Sequence, residues 1–264
     1  MCTMTFLPGL PGGGYVLATN RDESPHRAPA TEPFLRERGD RLLLAPRDTD
    51  QGGTWVGVDD LGRCVCVLNG DRPPAAEAPP DAISRGLLVL DLLDDASADG
   101  VRAALAARER AGTLVSKPFK LVVVVPGDDD RHASLLRVDW DGVALSGEQL
   151  DGPQCIVSST FETDVVTERR LSAWRAFLSE APRADEGALV SAVQEFQAGH
   201  EGDTETGDAY SVCMHRDDAR TVSSTLVSVG ADEVTMHYQP GWPCEDGPVS
   251  ITTMPRAAAA EASP

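Results

Sequence analysis

The feature that most constrains the fold is the order in which two hydrophobic periodicities follow one another. Short apolar or alternating stretches come first: CTMTFL, YVLATNRD, RLLLAP, GTWVGV and RCVCVLN, separated by the turn-forming PGLPGGG and DDLG. DRPPAAEAPP then reads as a loop. Two helical patterns follow, AISRGLLVLDLL and a segment from Ser97 to about Arg110, with Ser97 as its N-cap and Val101 and Leu105 on one face. KLVVVVPG reads as a fully buried strand, and SLLRVDW and QCIVSS as two more. A second helical pair carries Leu171, Trp174 and Leu178, then Leu189, Val193 and Phe196, at the spacing of an apolar helix face. YSVCMH, RTVSSTLVSV and EVTMHYQ read as closing strands. Strands, a helical pair, strands, a second helical pair and terminal strands imply an α+β arrangement, with helices packed outside antiparallel sheets.

No composition shift or linker divides the 264 residues. The expectation is one domain over residues 1–250 and a flexible tail over 251–264. The net charge is −19, and the only lysines are Lys117 and Lys120. No basic stripe is present, which excludes nucleic acid and anionic membrane as expected partners. No stretch approaches the apolar length of a membrane span, and no basic segment precedes a long apolar one near the start. The six cysteines therefore read as reduced thiols, and the expected location is cytoplasmic.

Cys2 follows the initiator methionine, and removal of Met1 would give it a free α-amine beside its thiol. If CTMTFL and YVLATNRD form a hairpin with Leu7 opposite Tyr15, Cys2 falls opposite Asn20, and Asp22 is a diagonal neighbour roughly 7–8 Å away. Period-two alternation then places Asn20 and Asp22 on the face of Cys2 and Arg21 on the other. A free α-amine with a pKa of about 8 can accept the proton of a thiol with a pKa of about 8.5. Asp22 would orient the ammonium, and an Asn amide would donate to an oxyanion. The competing reading is a small buried hydrophobe at a strand start.

NRDE at 20–23, GGTWVGV at 52–58, LNGDRPP at 68–74 and AYSVCMHRDDARTVS at 209–223 carry a resemblance to the NRDE family, the bacterial relatives of transport and Golgi organisation protein two. The likeness runs from Met1 to about Pro243. That family is similar to N-terminal-nucleophile hydrolases of the choloylglycine hydrolase and penicillin acylase kind. The resemblance implies a four-layer αββα sandwich and a hydrolase acting on linear amide C–N bonds. It implies Cys2 as nucleophile, Asp22 at the amine, Asn69 at the oxyanion and Arg220 near the nucleophile; Asn20 and Arg21, which precede Asp22 in NRDE, are further candidate site residues. The chain departs from the hydrolases in two places. Thr19 and Asn20 stand where they carry an Arg, with Arg21 facing away unless a bulge re-aims it. Where they use a second Asn, only Ser158 or Ser159 is on offer.

Other candidates are thinner. Cys213 and His215 would share a strand face as two metal ligands do, but nothing else sits at ligand spacing, and Cys64 and Cys66 read as core. RDDAR reads as a charged strand connection, and Gly12–Gly14 as a hairpin loop rather than a phosphate cradle. His237 reads as a structural strand histidine or a haem ligand. The expectation is a cysteine amidohydrolase acting on a small-molecule amide, with no cofactor and no metal. The alternative is a non-catalytic carrier of an apolar small molecule such as haem or a lipid, a role that the resemblance to eukaryotic relatives implies.

Overall fold

The first hairpin sets the frame of the computed structural model, whose described residues are 2–70, 82–128, 132–182, 185–200 and 208–258. Strands β1 (Cys2–Leu10) and β2 (Gly14–Glu23) pair around a 3-10 turn at Pro11–Gly13. Gly13 needs φ +67°, and its backbone touches Gly127, whose N–H donates to the Gly13 carbonyl at 2.8 Å. The glycines of PGGG are therefore a turn packed against another backbone.

The remaining strands are β3 (Thr31–Arg38), β4 (Arg41–Arg47), β5 (Val56–Asp59), β6 (Cys64–Asn69), β7 (Phe119–Val125), β8 (Ser134–Trp140), β9 (Leu145–Leu150), β10 (Gln154–Ser158), β11 (Arg220–Val229), β12 (Glu233–Pro240) and β13 (Ser250–Pro255). They build a six-stranded sheet in the order β10-β1-β2-β11-β12-β13 and a seven-stranded sheet in the order β3-β4-β5-β6-β7-β8-β9. The ladders in both sheets are antiparallel.

Helices α1 (Arg85–Leu92) and α2 (Ala98–Arg110) cover the outer face of the second sheet, and α3 (Thr163–Glu180) and α4 (Glu186–Gln197) cover the first. The result is an αββα sandwich. Each layer follows from its sequence period. Cys2, Met4 and Phe6 alternate into the space between the sheets, where Met4 and Phe6 are fully buried. Each such side chain contributes about 1.5–3 kcal/mol relative to exposure. The opposite face of the hairpin presents Leu7, Val16 and Ala18 to Trp174, Leu189 and Val193 of the helices. KLVVVV is apolar on both faces because one meets the first sheet and the other meets α2. Ser97 caps α2, accepting from the Gly100 N–H at 3.0 Å.

Three expectations change. YSVCMH is an irregular loop, held by Asp208 accepting the N–H groups of Tyr210 and Ser211. TEPFLRER and LSGEQL, not anticipated as strands, are β3 and β9; both lie at sheet edges, and most of their side chains are polar and exposed. The domain does not end at residue 250, because β13 pairs with β12 from Ser250 to Pro255. DRPPAAEAPP, from Asp71 to Ala78 and beyond, and the end of the tail lie outside the described residues.

Candidate active site

Strand β1 delivers Cys2 to a cleft of about 300 Å³, lined also by Arg21, Asp22, Asn69, Trp55 and Arg85. Cys2 is 8% exposed, so its thiol is nearly enclosed but borders this space. Burial pushes the thiol above its ordinary value, and the negative charge of Asp22 adds to the shift. The Asp22 backbone N–H hydrogen-bonds the sulfur and works in the opposite direction.

The hairpin register differs by one residue from the expectation. Leu7 pairs with Val16 and Pro8 with Tyr15, so Cys2 lies opposite Arg21 and Thr3 opposite Asn20. A bulge between Pro8 and Leu10 absorbs the extra residue, where Gly9 takes φ +112°. A one-residue slip exchanges the two faces of a strand. Arg21 therefore shares the inter-sheet face with Cys2, correcting the expectation that it faces away. It is 7% exposed, donates to the Asp48 carboxylate at 2.7 Å and lies 4.9 Å over the Trp55 ring. Arg27 pairs with the same carboxylate. The GGTW segment earns its place here: Asp48 accepts the N–H groups of Asp50 and Gln51, and its own N–H donates to Gly53 O at 2.8 Å, which fixes the carboxylate toward the two arginines.

Asn20 moves to the helix side by the same slip. Its amide donates to Gln197 O at 2.7 Å and Val212 O at 3.0 Å, so it fastens the end of α4 and the 208–215 loop to the sheet. It does not line the cleft. Asp22 also turns its carboxylate into this buried polar layer while its residue borders the cleft. Thr221 Oγ1 donates to it at 2.7 Å, and Arg170 Nη1 stands 3.5 Å from its other oxygen. Burial pushes the Asp22 carboxyl up, and Arg170 pulls it back.

Arg170, on α3, is the residue that sequence reasoning missed. It is fully buried and donates to Thr3 Oγ1 at 2.6 Å and Ala209 O at 3.2 Å. The signal was present: Val166, Arg170 and Trp174 form the buried i, i+4, i+8 stripe of α3, and an arginine in such a stripe demands a buried anion.

Arg220 is not among the residues that line the cleft. It begins β11 opposite Glu23, and its guanidinium lies 5.0 Å over Trp242. Asn69, at the end of β6, lines the cleft. His237, on β12, pairs with Ile251 of β13 and is not among the residues that line the cleft. Ser158 is opposite Cys2 in β10.

Cys213 and His215 do come together, though on a loop, and they are joined by His200 and Cys244. Those two partners lie too far away in sequence for ligand spacing to disclose them.

Two antiparallel sheets enclosed by helices, with a cysteine at the start of the first strand opening on an inter-sheet cleft, define the N-terminal-nucleophile hydrolase fold. The chain belongs to the Transport and Golgi organisation 2 family, whose model matches residues 1–160. No curated protein matches the sequence. Among solved structures, the chain resembles penicillin V acylase from Agrobacterium tumefaciens, with a TM-score of 0.55 and 12% identity over 95% of this chain and 86% of that one. It also resembles the Caenorhabditis elegans ortholog of N-acylethanolamine-hydrolyzing acid amidase, with a TM-score of 0.54 and 11% identity over 86% of this chain and 92% of that one. The C2A mutant of conjugated bile acid hydrolase from Clostridium perfringens gives 0.52 and 10%, over 95% and 92%. At these identities the likeness is one of fold. Among the described residues, no helix is long and apolar enough to cross a membrane.

Proposed function

We propose that the protein is a cysteine amidohydrolase that cleaves the linear C–N bond of a small polar amide, with Cys2 as nucleophile once Met1 is removed. The observation that carries this reading is the position of Cys2, the one thiol bordering a cleft that also holds Asn69, Arg21 and Asp22. In the first step, the Cys2 sulfur attacks the amide carbon, and its proton passes to the α-amine. Asn69 donates to the oxyanion, and the proton then moves to the departing amine nitrogen as the C–N bond breaks, leaving a thioester. Water attacks the thioester with the α-amine as base, which releases the acid and restores the thiol.

The cleft favours this reading over a carrier of haem or lipid. Its walls include Arg21, Arg27, Asp48, Glu23, Arg85 and Lys117, whereas an apolar ligand calls for mostly apolar walls. The test is to incubate the mature protein with a panel of polar N-acyl amides and acid-quench it for intact-mass analysis. An acyl adduct that maps to Cys2 supports the proposal. A chain whose Met1 is retained, or a mature chain that neither hydrolyses nor becomes acylated, overturns it.

A further inference from the structure

Away from the cleft, four side chains from three separate segments converge. His200 follows α4, Cys213 and His215 lie on the 208–215 loop, and Cys244 lies in the turn after β12. Each offers one ligand atom, and these atoms all lie within 4.8 Å of one another. His215 Nε2 is 3.5 Å from the Cys213 sulfur and 3.2 Å from the Cys244 sulfur. The His200 and His215 rings meet edge to face at 5.2 Å, and Trp242 stacks on His215 at 4.5 Å.

We propose that His200, Cys213, His215 and Cys244 form a tetrahedral site for a divalent zinc ion. Zinc–sulfur bonds of about 2.3 Å and zinc–nitrogen bonds of about 2.0 Å at a tetrahedral angle separate sulfur from nitrogen by roughly 3.5 Å. The two sulfur–nitrogen distances around His215 match that separation. Two thiolates and two neutral imidazoles make a donor set suited to zinc rather than to a hard cation, because sulfur and imidazole are soft or borderline ligands. On binding, each thiol gives up its proton, and the two thiolate charges balance the ion. With four protein ligands the site has no open position, so its role is structural.

A disulfide between Cys213 and Cys244 is the rival. Both cysteines are free, and a disulfide gives no reason for two imidazoles to gather around the sulfurs. His200 Nε2 is also buried with no hydrogen-bond partner, and ligation would supply one.

The site has a mechanical consequence. Cys213 N–H donates to Gly199 O at 3.0 Å, and Met214 N–H donates to Thr221 Oγ1 at 2.9 Å, the hydroxyl that in turn donates to Asp22. The same loop supplies the Ala209 carbonyl that Arg170 holds. A metal at this point would pin the loop against α4 and the Trp242–Cys244 turn, and thereby fix the buried partners of Asp22.

The experiment is metal analysis of the full chain, purified untagged and without chelator. The expected result is about one zinc per chain by plasma mass spectrometry, falling below about 0.2 in Cys244→Ser. His200→Gln serves as a second variant should Cys244→Ser fail to fold, which circular dichroism will show. Wild-type chain stripped with a chelator and given cobalt(II) should take up one equivalent, with the visible bands of tetrahedral cobalt and a thiolate charge-transfer band in the near ultraviolet. A folded wild-type chain that holds less than about 0.1 zinc and gives no such cobalt spectrum overturns the proposal. Peptide mapping that finds Cys213 disulfide-bonded to Cys244 in freshly isolated protein also overturns it.

Discussion

On the inter-sheet side of β2, Cys2 stands beside charges that have already found one another: Arg21 and Arg27 share Asp48. On the helix side, Cys213 and Cys244 face the imidazoles of His200 and His215. Both regions use sulfur, yet the first presents one sulfur to a space large enough for a small molecule. The second presents two sulfurs and two nitrogens to a space the size of an ion. The comparison teaches that what surrounds a thiol decides its chemistry: neighbouring polar hydrogen-bond donors suit attack on a carbonyl, and converging soft ligands suit a cation.

The sharpest way to break the comparison is Cys2→Ala. It should abolish hydrolysis and acylation while leaving zinc content at the wild-type level; loss of both would show that the two regions are one functional unit. Asp22→Asn should come next: it removes the anion that would orient the α-amine, the base of the proposed mechanism, and the expected rate loss is roughly 10²–10⁴-fold, the scale of losing a positioned base. Its check is kcat of the mature enzyme, with folding followed by circular dichroism.

Arg170→Met tests the buried layer that lies between the two regions. Removing one partner of a buried pair leaves an uncompensated charge and costs about 3–5 kcal/mol, measurable by urea unfolding. Asp22, already pushed up by burial, should then bind a proton at higher pH. The variant's stability should therefore decline as pH rises through that raised value, because the charged carboxylate is the form that burial penalises.

Iodoacetamide labelling separates the thiols more gently. Burial raises the Cys2 thiol, so its labelling should be slow at neutral pH and rise about tenfold per unit as thiolate forms. Cys213 and Cys244 should stay protected until a chelator is added. The smallest effect is expected from Arg220→Gln, which loses a contact with Trp242 outside the cleft. It should cost less than about 1 kcal/mol and leave hydrolysis unchanged.

Periodicity disclosed most of the layers. The alternation of CTMTFL and the double-sided apolarity of KLVVVV state directly which faces must be covered, and the i, i+4 stripes of the helices say what covers them. The register of the hairpin was not legible, because PGLPGGG is compatible with several turn placements and only a bulge at Gly9 selects among them. That single residue moved Arg21 into the cleft and Asn20 out of it. Arg220 came from the resemblance alone, and a resemblance does not specify which way a strand-end side chain turns; its guanidinium lies over Trp242. Asn69 also came from the resemblance, and as the last residue of β6 it lines the cleft. The partners of Cys213 and His215 were hidden because long-range loop packing, not local spacing, brings His200 and Cys244 to them.

The position of β2 between β1 and β11 has a temporal meaning. Thr221 and Asp22 are 199 residues apart in sequence yet hydrogen-bonded. At roughly 5–20 residues per second of synthesis, about 10–40 s separate the emergence of Asp22 from that of Thr221. Until then β2 lacks its β11 neighbour, and long-range pairing of this kind is slow to form even afterwards. An aminopeptidase therefore has its opportunity before the fold closes, while the newborn β1 is still accessible. The timing of translation, as much as the geometry of the finished cleft, would decide whether the α-amine of Cys2 ever becomes available.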